Sequence, residues 1–277
     1  MILHPLDSAD NKIIRSLRRF MTSHAAREKN GRTVVEGRRM VAEALSSGVP
    51  FRQVVYSTRV LQDVDGKNLI ARLQAQSVPL LYVTDRLMDE ISGVETPQGV
   101  VGIVSWMVGD RDTFPLPATG PALFVVAEGI QDPGNLGTLI RAAQAAGAHG
   151  VGVTKGTVEV MNPKTLRSCA GSIFRIPVFR LPLEWTDKAV AQGLAVYSTQ
   201  IADGSPYDQE DWTKPVVVVL GNEGNGLAEV PGAKPISVPM VPTANSLNVA
   251  IAGSVILFHA ASQRRAHGLL PTPPHMV

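Results

Sequence analysis

The order of apolar and polar positions along the chain predicts an α/β protein built in two parts. In the first part, apolar periodicity and the Gly and Pro breaks between periodic runs predict helices over 11–30, 38–47 and 67–75 and strands over 53–57, 79–83 and 99–106. Residues 107–121 then cluster Gly, Pro and Asp without periodicity, so we interpret them as a linker. The expected domains are 1–106 and 122–266, followed by a disordered tail at 267–277.

In the second part, strands and helices alternate regularly. We expect strands at 122–127, 150–154, 176–180, 194–199, 215–220 and 235–239, and helices at 135–147, 163–172, 185–193 and 246–264. Val-rich strands without polar residues favour a parallel sheet that is covered on both faces. The last helix carries Ser246, Asn248, Ser254 and His259, so a buried helix is expected there rather than a membrane span.

Composition limits the class of protein. Of the 277 residues, 44% are hydrophobic and 18% are charged, which favours a folded chain over a disordered one. The single cysteine, Cys169, excludes a disulfide framework within the chain. The first twenty residues lack the apolar core of a signal peptide, so a cytoplasmic protein without a membrane segment is expected.

Positive charge is concentrated near the N-terminus. The formal net charge is only +2, but residues 11–40 hold nine basic and two acidic side chains. Such a basic end is typical of a protein that binds a phosphate backbone, although a solvated helix face would give the same pattern. The candidate residues of this segment for contact with such a backbone are Arg15, Arg18, Arg19, Arg27 and Arg38.

Several common sites are missing from the sequence. Gly150, Gly152 and Gly156 have a spacing one residue off the dinucleotide fingerprint, and there is no Walker-type motif. No G-x-S-x-G elbow occurs, and His and Cys do not cluster at metal-ligand spacing, so no metal is expected. These observations argue against a nicotinamide enzyme, an NTPase, a zinc hydrolase and a serine hydrolase.

Three segments can carry chemistry. In 132–141, Arg141 is the only charge on a helix that we expect to be buried nearly all round, so its guanidinium would need an anionic partner, a phosphate or a carboxylate. The second segment, 220–226, places three glycines and Glu223 after a buried strand, which suits close approach to a ligand but also a tight turn. In 236–250, Ser246 and Asn248 open a helix and could be ordinary N-caps.

Taken together, N-L-G-T-x-x-R at 135–141, L-G-N-E-G-x-G at 220–226 and I-x-V-P-M…S-L-N-V-A at 236–250 resemble the three motifs of the SpoU (TrmH) family of the SPOUT superfamily. The resemblance covers about 122–264, including N-P-K…R-S…A-G at 162–171. Residues 11–106 resemble the substrate-binding domain that is often fused ahead of it, which is similar to a ribosomal RNA-binding protein fold. Asn245 departs from the Glu of many relatives, which leaves any role for a carboxylate there open.

The resemblance implies a parallel-sheet domain with a deep trefoil knot and a site for S-adenosylmethionine, which is converted to S-adenosylhomocysteine. The implied cofactor-binding residues are Thr199, Leu220, Gly221, Asn222, Gly224, Val238, Met240 and Leu247. The implied catalytic residues are Arg141, Asn135, Glu223, Ser246 and Asn248. Arg141 would contact the target phosphate and assist deprotonation of the ribose, as a base or as an electrostatic stabiliser. Arg167 joins the candidate RNA-binding residues.

The implied activity is methyl transfer to a ribose 2′-hydroxyl of structured RNA by a homodimer, and the fused first domain favours large-subunit (23S) ribosomal RNA. Three alternatives stay open. They are a transfer RNA 2′-O-methyltransferase, a base methyltransferase of the same superfamily, and a non-catalytic RNA-binding or ribosome assembly factor. The residues do not identify the methylated nucleotide.

Overall fold

The computed structural model of the chain describes residues 5–201, 204–222, 227 and 229–270. These residues fall into two compact units, the first with 5–107 and 159–174, the second with the described parts of 108–158 and 175–270. Segment 159–174 therefore packs with the first unit, although we expected it within 122–266.

The helices are α1 (Lys12–Thr22), α2 (His24–Asn30), α3 (Arg38–Ser46), α4 (Val64–Ala75), α5 (Asp85–Ile91), α6 (Pro133–Ala145), α7 (Pro163–Cys169), α8 (Trp185–Ala191) and α9 (Val249–Ala266). Short 3₁₀ turns lie at 58–61, 172–174 and 207–209. The strands are β1 (Arg32–Glu36), β2 (Phe51–Tyr56), β3 (Leu80–Tyr82), β4 (Val100–Ser105), β5 (Gly109–Asp110), β6 (Leu123–Ala127), β7 (Gly150–Val153), β8 (Val178–Arg180), β9 (Ala195–Gln200), β10 (Ser205–Pro206), β11 (Val216–Leu220) and β12 (Lys234–Ser237).

The first unit is built on a four-stranded sheet with the order β1-β4-β2-β3. Strand β4 is antiparallel to both β1 and β2, whereas β2 and β3 run parallel. The apolar face of α1 carries Ile14, Leu17 and Phe20, and it packs in one buried cluster with Val34 and Val101 of the sheet. This arrangement confirms the small α/β unit that the sequence predicts.

Two details of the first unit differ from the prediction. The helix expected over 11–30 is interrupted at Ser23, whose backbone is extended and whose Oγ accepts a hydrogen bond from the N–H of Ala26 at 3.2 Å. A serine in this position ends one helix and caps the next, because its side chain replaces a missing helical acceptor. Strand β1 and helix α5 were not predicted.

The second unit is an eight-stranded sheet with the order β10-β12-β9-β11-β6-β7-β8-β5, and the strand pairs of this sheet are parallel. Strands β6 and β11 are buried along their whole length at its centre. The predicted covered parallel sheet is therefore confirmed. The trefoil knot stays a prediction.

Most of the expected linker, residues 108–121, belongs to the second unit. Strand β5 pairs with β8, and Phe114 is buried against Phe124 and Phe179, with ring centroids 5.0 and 6.0 Å away. The lack of periodicity in this segment therefore reflects an irregular packed chain rather than an open linker.

Helix α9 is covered on one face only. Ile256 and Leu257 are fully buried, whereas Ile251, Val255 and Phe258 are exposed. The expected burial of the last helix therefore holds for one face only, because nothing in the described chain covers the other. Within the described ranges, the structure contains no helix whose length and apolar content would let it cross a membrane.

Candidate functional site

The carboxyl ends of the central strands form one edge of the second sheet. Ala127 pairs with Leu220, and Val219 pairs with Ser198, so β6, β11 and β9 end together. In parallel α/β sheets, ligands bind outside this edge, where loops leave neighbouring strands. The residues predicted to bind a cofactor lie at the carboxyl ends of β9 and β11 or in the loops after β11 and β12.

Hydrogen bonds fix the loops at this edge. The N–H of Glu128 donates to the carbonyl of Leu220 at 2.8 Å, and the amide Nδ2 of Asn222 donates to the carbonyl of Gly129 at 2.9 Å. The hydroxyl of Thr199 donates to the carbonyl of Val219 at 3.0 Å. Asn222 is thus joined to Gly129, 93 positions away, and Thr199 and Leu220 lie at the same edge.

Gly221 lies in this loop because no side chain fits there. A Cβ on Gly221 would lie 2.7 Å from Cδ1 of Leu227 and 2.9 Å from its Cα. The chain therefore folds back tightly just after β11. Glu223 and Gly224, which we predicted to act in catalysis and cofactor binding, lie outside the described residues.

The first and third motifs meet through two asparagines. Asp132 caps α6 by accepting from the N–H of Asn135 at 2.9 Å, and Asn248 caps α9 by accepting from the N–H groups of Ala250 and Ile251. The Nδ2 of Asn248 then donates to Oδ1 of Asn135 at 2.9 Å. The two helix N-termini are held side by side, which places both predicted catalytic asparagines in one group.

The ends of the third motif are open to solvent. Ser246 and Leu247 are exposed, whereas Val238 and Met240 are half-buried. Leu247 is 40% exposed and Val241 is 66% exposed, an unusual amount for aliphatic side chains beside a sheet edge. Aliphatic side chains in this setting suit the face of an adenine ring, while loop backbone groups suit its polar edge.

Arg141 does not lie where the sequence predicts. Its side chain is exposed, on the same open face of α6 as Thr138 and Ala145. The opposite face buries Leu136, Ile140 and neighbouring apolar residues, so α6 is amphipathic rather than buried all round. The guanidinium therefore needs no internal anion and remains available to an external one.

Glu128 is a residue of this edge that sequence reasoning missed. Its Oε2 is buried without a hydrogen-bond partner, and burial raises the pKa of its carboxyl group. The available signal was a carboxylate placed directly after an all-apolar strand. A carboxyl oxygen with no partner at this edge can accept a hydrogen bond from a ligand.

The predicted RNA-binding arginines of the first unit differ in accessibility. Arg15 and Arg19 are exposed on α1. Arg18 pairs with Glu90 at 3.1 Å, Arg38 with Asp63, and Arg167 with Glu36 at 3.0 Å, and these three arginines keep part of their surface open.

Arg27 is the exception, because it is only 3% exposed. Its Nε donates to Glu159 at 2.8 Å and its Nη1 donates to the carbonyl of Phe20 at 2.6 Å. The prediction that Arg27 faces RNA is not compatible with this burial, since the guanidinium is enclosed by the fold of the first unit.

Arg264 is a second buried arginine that the sequence did not reveal. It lies in α9 and is 1% exposed, and burial lowers the pKa of its guanidinium to about 10. It donates hydrogen bonds of 2.7–2.9 Å to the carbonyls of Pro121, Ala122, Trp212 and Lys214. The contacts lie at the amino ends of β6 and β11, so Arg264 anchors α9 at the edge opposite the candidate site.

In the part of the chain that the structure describes, no group of three or more His, Cys, Asp or Glu side chains is placed to hold a metal ion. The only cysteine of the chain, Cys169, is buried, and burial raises the pKa of its thiol to about 12. The thiol therefore remains protonated and unreactive near neutral pH.

Comparison with known proteins identifies the class. The SpoU rRNA Methylase family matches residues 122–258, and the MRM3-like substrate binding domain matches residues 11–102. The 23S rRNA (guanosine(2553)-2′-O)-methyltransferase RlmP of Bacillus subtilis is 30% identical, over 92% of this chain and 98% of that protein. The chain therefore belongs to the SpoU methylase family and carries its fused substrate-binding domain.

Solved structures agree over nearly the whole length. The AdoMet-bound rRNA methyltransferase of Sinorhizobium meliloti has a TM-score of 0.78 and 30% identity, and the match covers 97% of this chain and 99% of that one. The SpoU methyltransferase AviRb of Streptomyces viridochromogenes, also bound to AdoMet, has a TM-score of 0.79 and 27% identity, with 92% and 100% covered. The fold expected from the motifs is thus confirmed at the level of the family.

Proposed function

We propose that the chain is an S-adenosylmethionine-dependent methyltransferase that modifies a ribose 2′-hydroxyl of large-subunit ribosomal RNA. The observation that carries the proposal is the hydrogen bond between Asn135 and Asn248 at 2.9 Å. This bond joins the first and third family motifs. Arg141 lies on the same helix as Asn135, and its side chain is exposed.

The residues at the sheet edge fit this cofactor. The hydroxyl of Thr199, the backbone at Gly221 and the aliphatic side chains of Val241 and Leu247 match a ligand with one flat apolar ring and several polar edges. Leu220, Asn222, Gly224, Val238 and Met240 complete the proposed set. When bound, S-adenosylmethionine supplies an electrophilic methyl group.

Arg141 has the central role in the proposed reaction. A 2′-hydroxyl is a very weak acid, so the enzyme must stabilise negative charge as the oxygen loses its proton. A guanidinium remains protonated at neutral pH and is therefore better suited to stabilise an alkoxide and hold a phosphate than to act as a base. The exposure of Arg141 allows both contacts.

The other motif residues position the reacting groups. The oxygen of Asn248 accepts the capping hydrogen bond of α9, and its Nδ2 donates to Asn135. These bonds hold the two asparagine side chains in a fixed orientation. Alignment of oxygen and methyl carbon depends on such rigidity, because a direct displacement tolerates little misplacement. We assign Ser246 and Glu223 to the same group, as partners of the ribose and of Arg141.

The choice of ribosomal RNA rests on the names of the relatives and on the match of residues 11–102 to the MRM3-like substrate binding domain. RlmP and a second relative from Streptomyces viridochromogenes, 30% identical over 89% of this chain, are both named 23S rRNA 2′-O-methyltransferases. We place the enzyme in the cytoplasm, where bacterial ribosomal RNA is made and modified.

One face of α9 supports the proposal of a homodimer. Ile251, Val255 and Phe258 are 53%, 36% and 47% exposed and recur at helical spacing on one face. An apolar stripe of this kind usually marks an interface. We propose that two copies pair through it in the active enzyme.

The experiment is transfer of a tritiated methyl group from S-adenosylmethionine by the purified chain to separate pools of 23S rRNA, 16S rRNA and tRNA. We expect label in the 23S pool. Label confined to tRNA would replace the proposed substrate by the tRNA alternative, and no label in any pool would leave only the non-catalytic alternative.

A further inference from the structure

Two neighbouring hollows on the first unit share one side chain, Arg167. The first, which we call the basic hollow, includes Arg18, Arg19 and Lys164 in its lining. The second, which we call the mixed hollow, has a volume of about 350 Å³ and is lined by Arg39, Met40, Val94, Thr96 and Gln98, among others.

An ion pair with the buried carboxylate of Glu36 fixes the position of Arg167. The Glu36 side chain is 4% exposed, and its carboxylate accepts from Nη1 of Arg167 at 3.0 Å, from the N–H of Gly93 at 3.1 Å and from the hydroxyl of Ser92. Within the described residues, these contacts use only Nη1 of the guanidinium. The remaining N–H groups of Arg167 are therefore oriented at the junction of the two hollows and can bind an acceptor there.

Gly93 makes this arrangement tight. A Cβ at position 93 would lie 2.9 Å from Nη1 of Arg167 and 3.2 Å from Oε2 of Glu36. The loop therefore presses its backbone against the ion pair. A preformed, partly exposed guanidinium of this kind recognises an anion better than a mobile surface side chain, because less conformational entropy is lost on binding.

The mixed hollow offers donors beside apolar surface. The Oε1 of Gln98 accepts from the backbone N–H of Arg38 at 2.8 Å, which orients the side chain and leaves the two N–H donors of Nε2 for a ligand. Met40 and Val94 supply apolar surface, and the planar guanidinium of Arg39 can stack on an aromatic ring. Ala170, which also lines this hollow, is the left-handed cap that ends α7, with a φ of 49°.

We infer that the two hollows together bind one unstacked nucleotide of the RNA substrate, with a backbone phosphate in the basic hollow and its base in the mixed hollow. A base needs a small pocket with apolar faces and a polar edge, and the mixed hollow provides these. A phosphate needs several hydrogen-bond donors, and the basic hollow provides those. The inference rests on the proposed function, since it takes the substrate to be RNA.

The test uses substitutions that act on one hollow each. Val94→Trp and Thr96→Trp fill the mixed hollow from exposed positions, and Lys164→Ala removes a charge from the basic hollow. Lys67→Ala is the matched control, because Lys67 is exposed on α4 and lines neither hollow. Each variant is assayed for binding to protein-free 23S rRNA over a range of salt, for methyl transfer, and for S-adenosylmethionine binding and thermal stability.

We expect Val94→Trp and Thr96→Trp to weaken RNA binding roughly tenfold, the scale of one lost base contact, without changing the salt dependence. Lys164→Ala should weaken binding less and lower the slope of log affinity against log salt by about 0.7 to 0.9. S-adenosylmethionine binding should remain unchanged in all variants.

RNA binding by all three variants that matches that of Lys67→Ala, in a preparation that still transfers methyl groups, would overturn this inference alone. A wild-type chain that transfers no methyl group would overturn the proposed function instead.

Discussion

The basic side chains of the two compact units have different surroundings. In the first unit, basic side chains are numerous but many are paired with carboxylates, as in Arg18–Glu90, Arg38–Asp63 and the buried Arg27–Glu159. In the second unit some cations also pair with carboxylates, as in Lys234–Glu210, but Arg264 is buried against carbonyl oxygens and Arg141 is exposed. The number of basic residues in a segment therefore overstates its RNA-binding surface, and the surroundings of each guanidinium are more informative.

The largest effect is expected at the exposed arginine of the second unit. Arg141→Ala should lower methyl transfer by about 10³-fold or more, the scale of one lost contact to a developing oxyanion. S-adenosylmethionine binding, measured by calorimetry, should persist because Arg141 is not among the proposed cofactor contacts. Lys214→Ala is the control, since Lys214 lies next to β11 at the opposite edge of the sheet and pairs with Asp211. Full activity of Arg141→Ala would contradict its proposed role.

The buried arginine of the second unit should affect stability instead. Arg264→Met removes four hydrogen bonds and leaves buried carbonyl groups without donors, so the free energy of unfolding should fall by about 3 kcal/mol. Urea unfolding measures this change. Arg265→Met, at the neighbouring and less buried position, should change stability by less than about 0.5 kcal/mol. Equal effects of the two substitutions would show that the buried network is not what matters.

The exposed stripe of α9 should control assembly. Phe258→Glu places a charge in the proposed interface and should weaken dimerisation roughly 100-fold, on the scale of one interface hot spot. Light scattering over a concentration series measures the change. Leu183→Glu is the matched control, because Leu183 is 80% exposed and lies outside α9. A wild-type chain that remains monomeric would remove the dimer from the account.

The buried ion pair of the first unit should produce a smaller, pH-dependent effect. Burial alone would raise the pKa of Glu159, but hydrogen bonds from Arg27 and His24 outweigh it and hold the pKa below its ordinary value. The folded state is therefore stabilised above the ordinary carboxyl pKa, and this stabilisation is lost as the pH falls through the lowered value.

Glu159→Gln should consequently lower the free energy of unfolding at pH 7 by about 2 kcal/mol, the scale of hydrogen bonds to a charged group. The difference from wild type should shrink as the pH is lowered below the ordinary carboxyl range. Urea titrations at several pH values would reveal it. A difference that does not vary with pH would mean that packing, and not the charge of Glu159, stabilises this part of the first unit.

Local patterns in the sequence predicted most of the elements but not their partners. The Val-rich strands of the second unit could be predicted because they are continuous runs of apolar residues. Strand β1 was missed because it is only five residues long and lies among basic residues. Segment 159–174 packs with the first unit through long-range contacts such as Arg27–Glu159, which no local pattern encodes.

The site was predicted from motifs, and its geometry was not. Asn135 and Asn248 are separated by 113 positions, so their hydrogen bond could not be read from spacing. The many alanines of α6 suggested burial all round, yet Arg141 and Thr138 face solvent because only one side of α6 packs on the unit. Glu128 and Arg264 were missed, since their significance depends on which carbonyls and loops surround them.

The central claim is methyl transfer to a ribose, and the form of the labelled product tests it most directly. 23S rRNA labelled by the wild-type chain with tritiated S-adenosylmethionine is hydrolysed in alkali, which requires a free 2′-hydroxyl at each cleaved bond. We predict that the label survives in an alkali-resistant dinucleotide. Label recovered entirely in mononucleotides would mean that a base is methylated, and it would contradict the account.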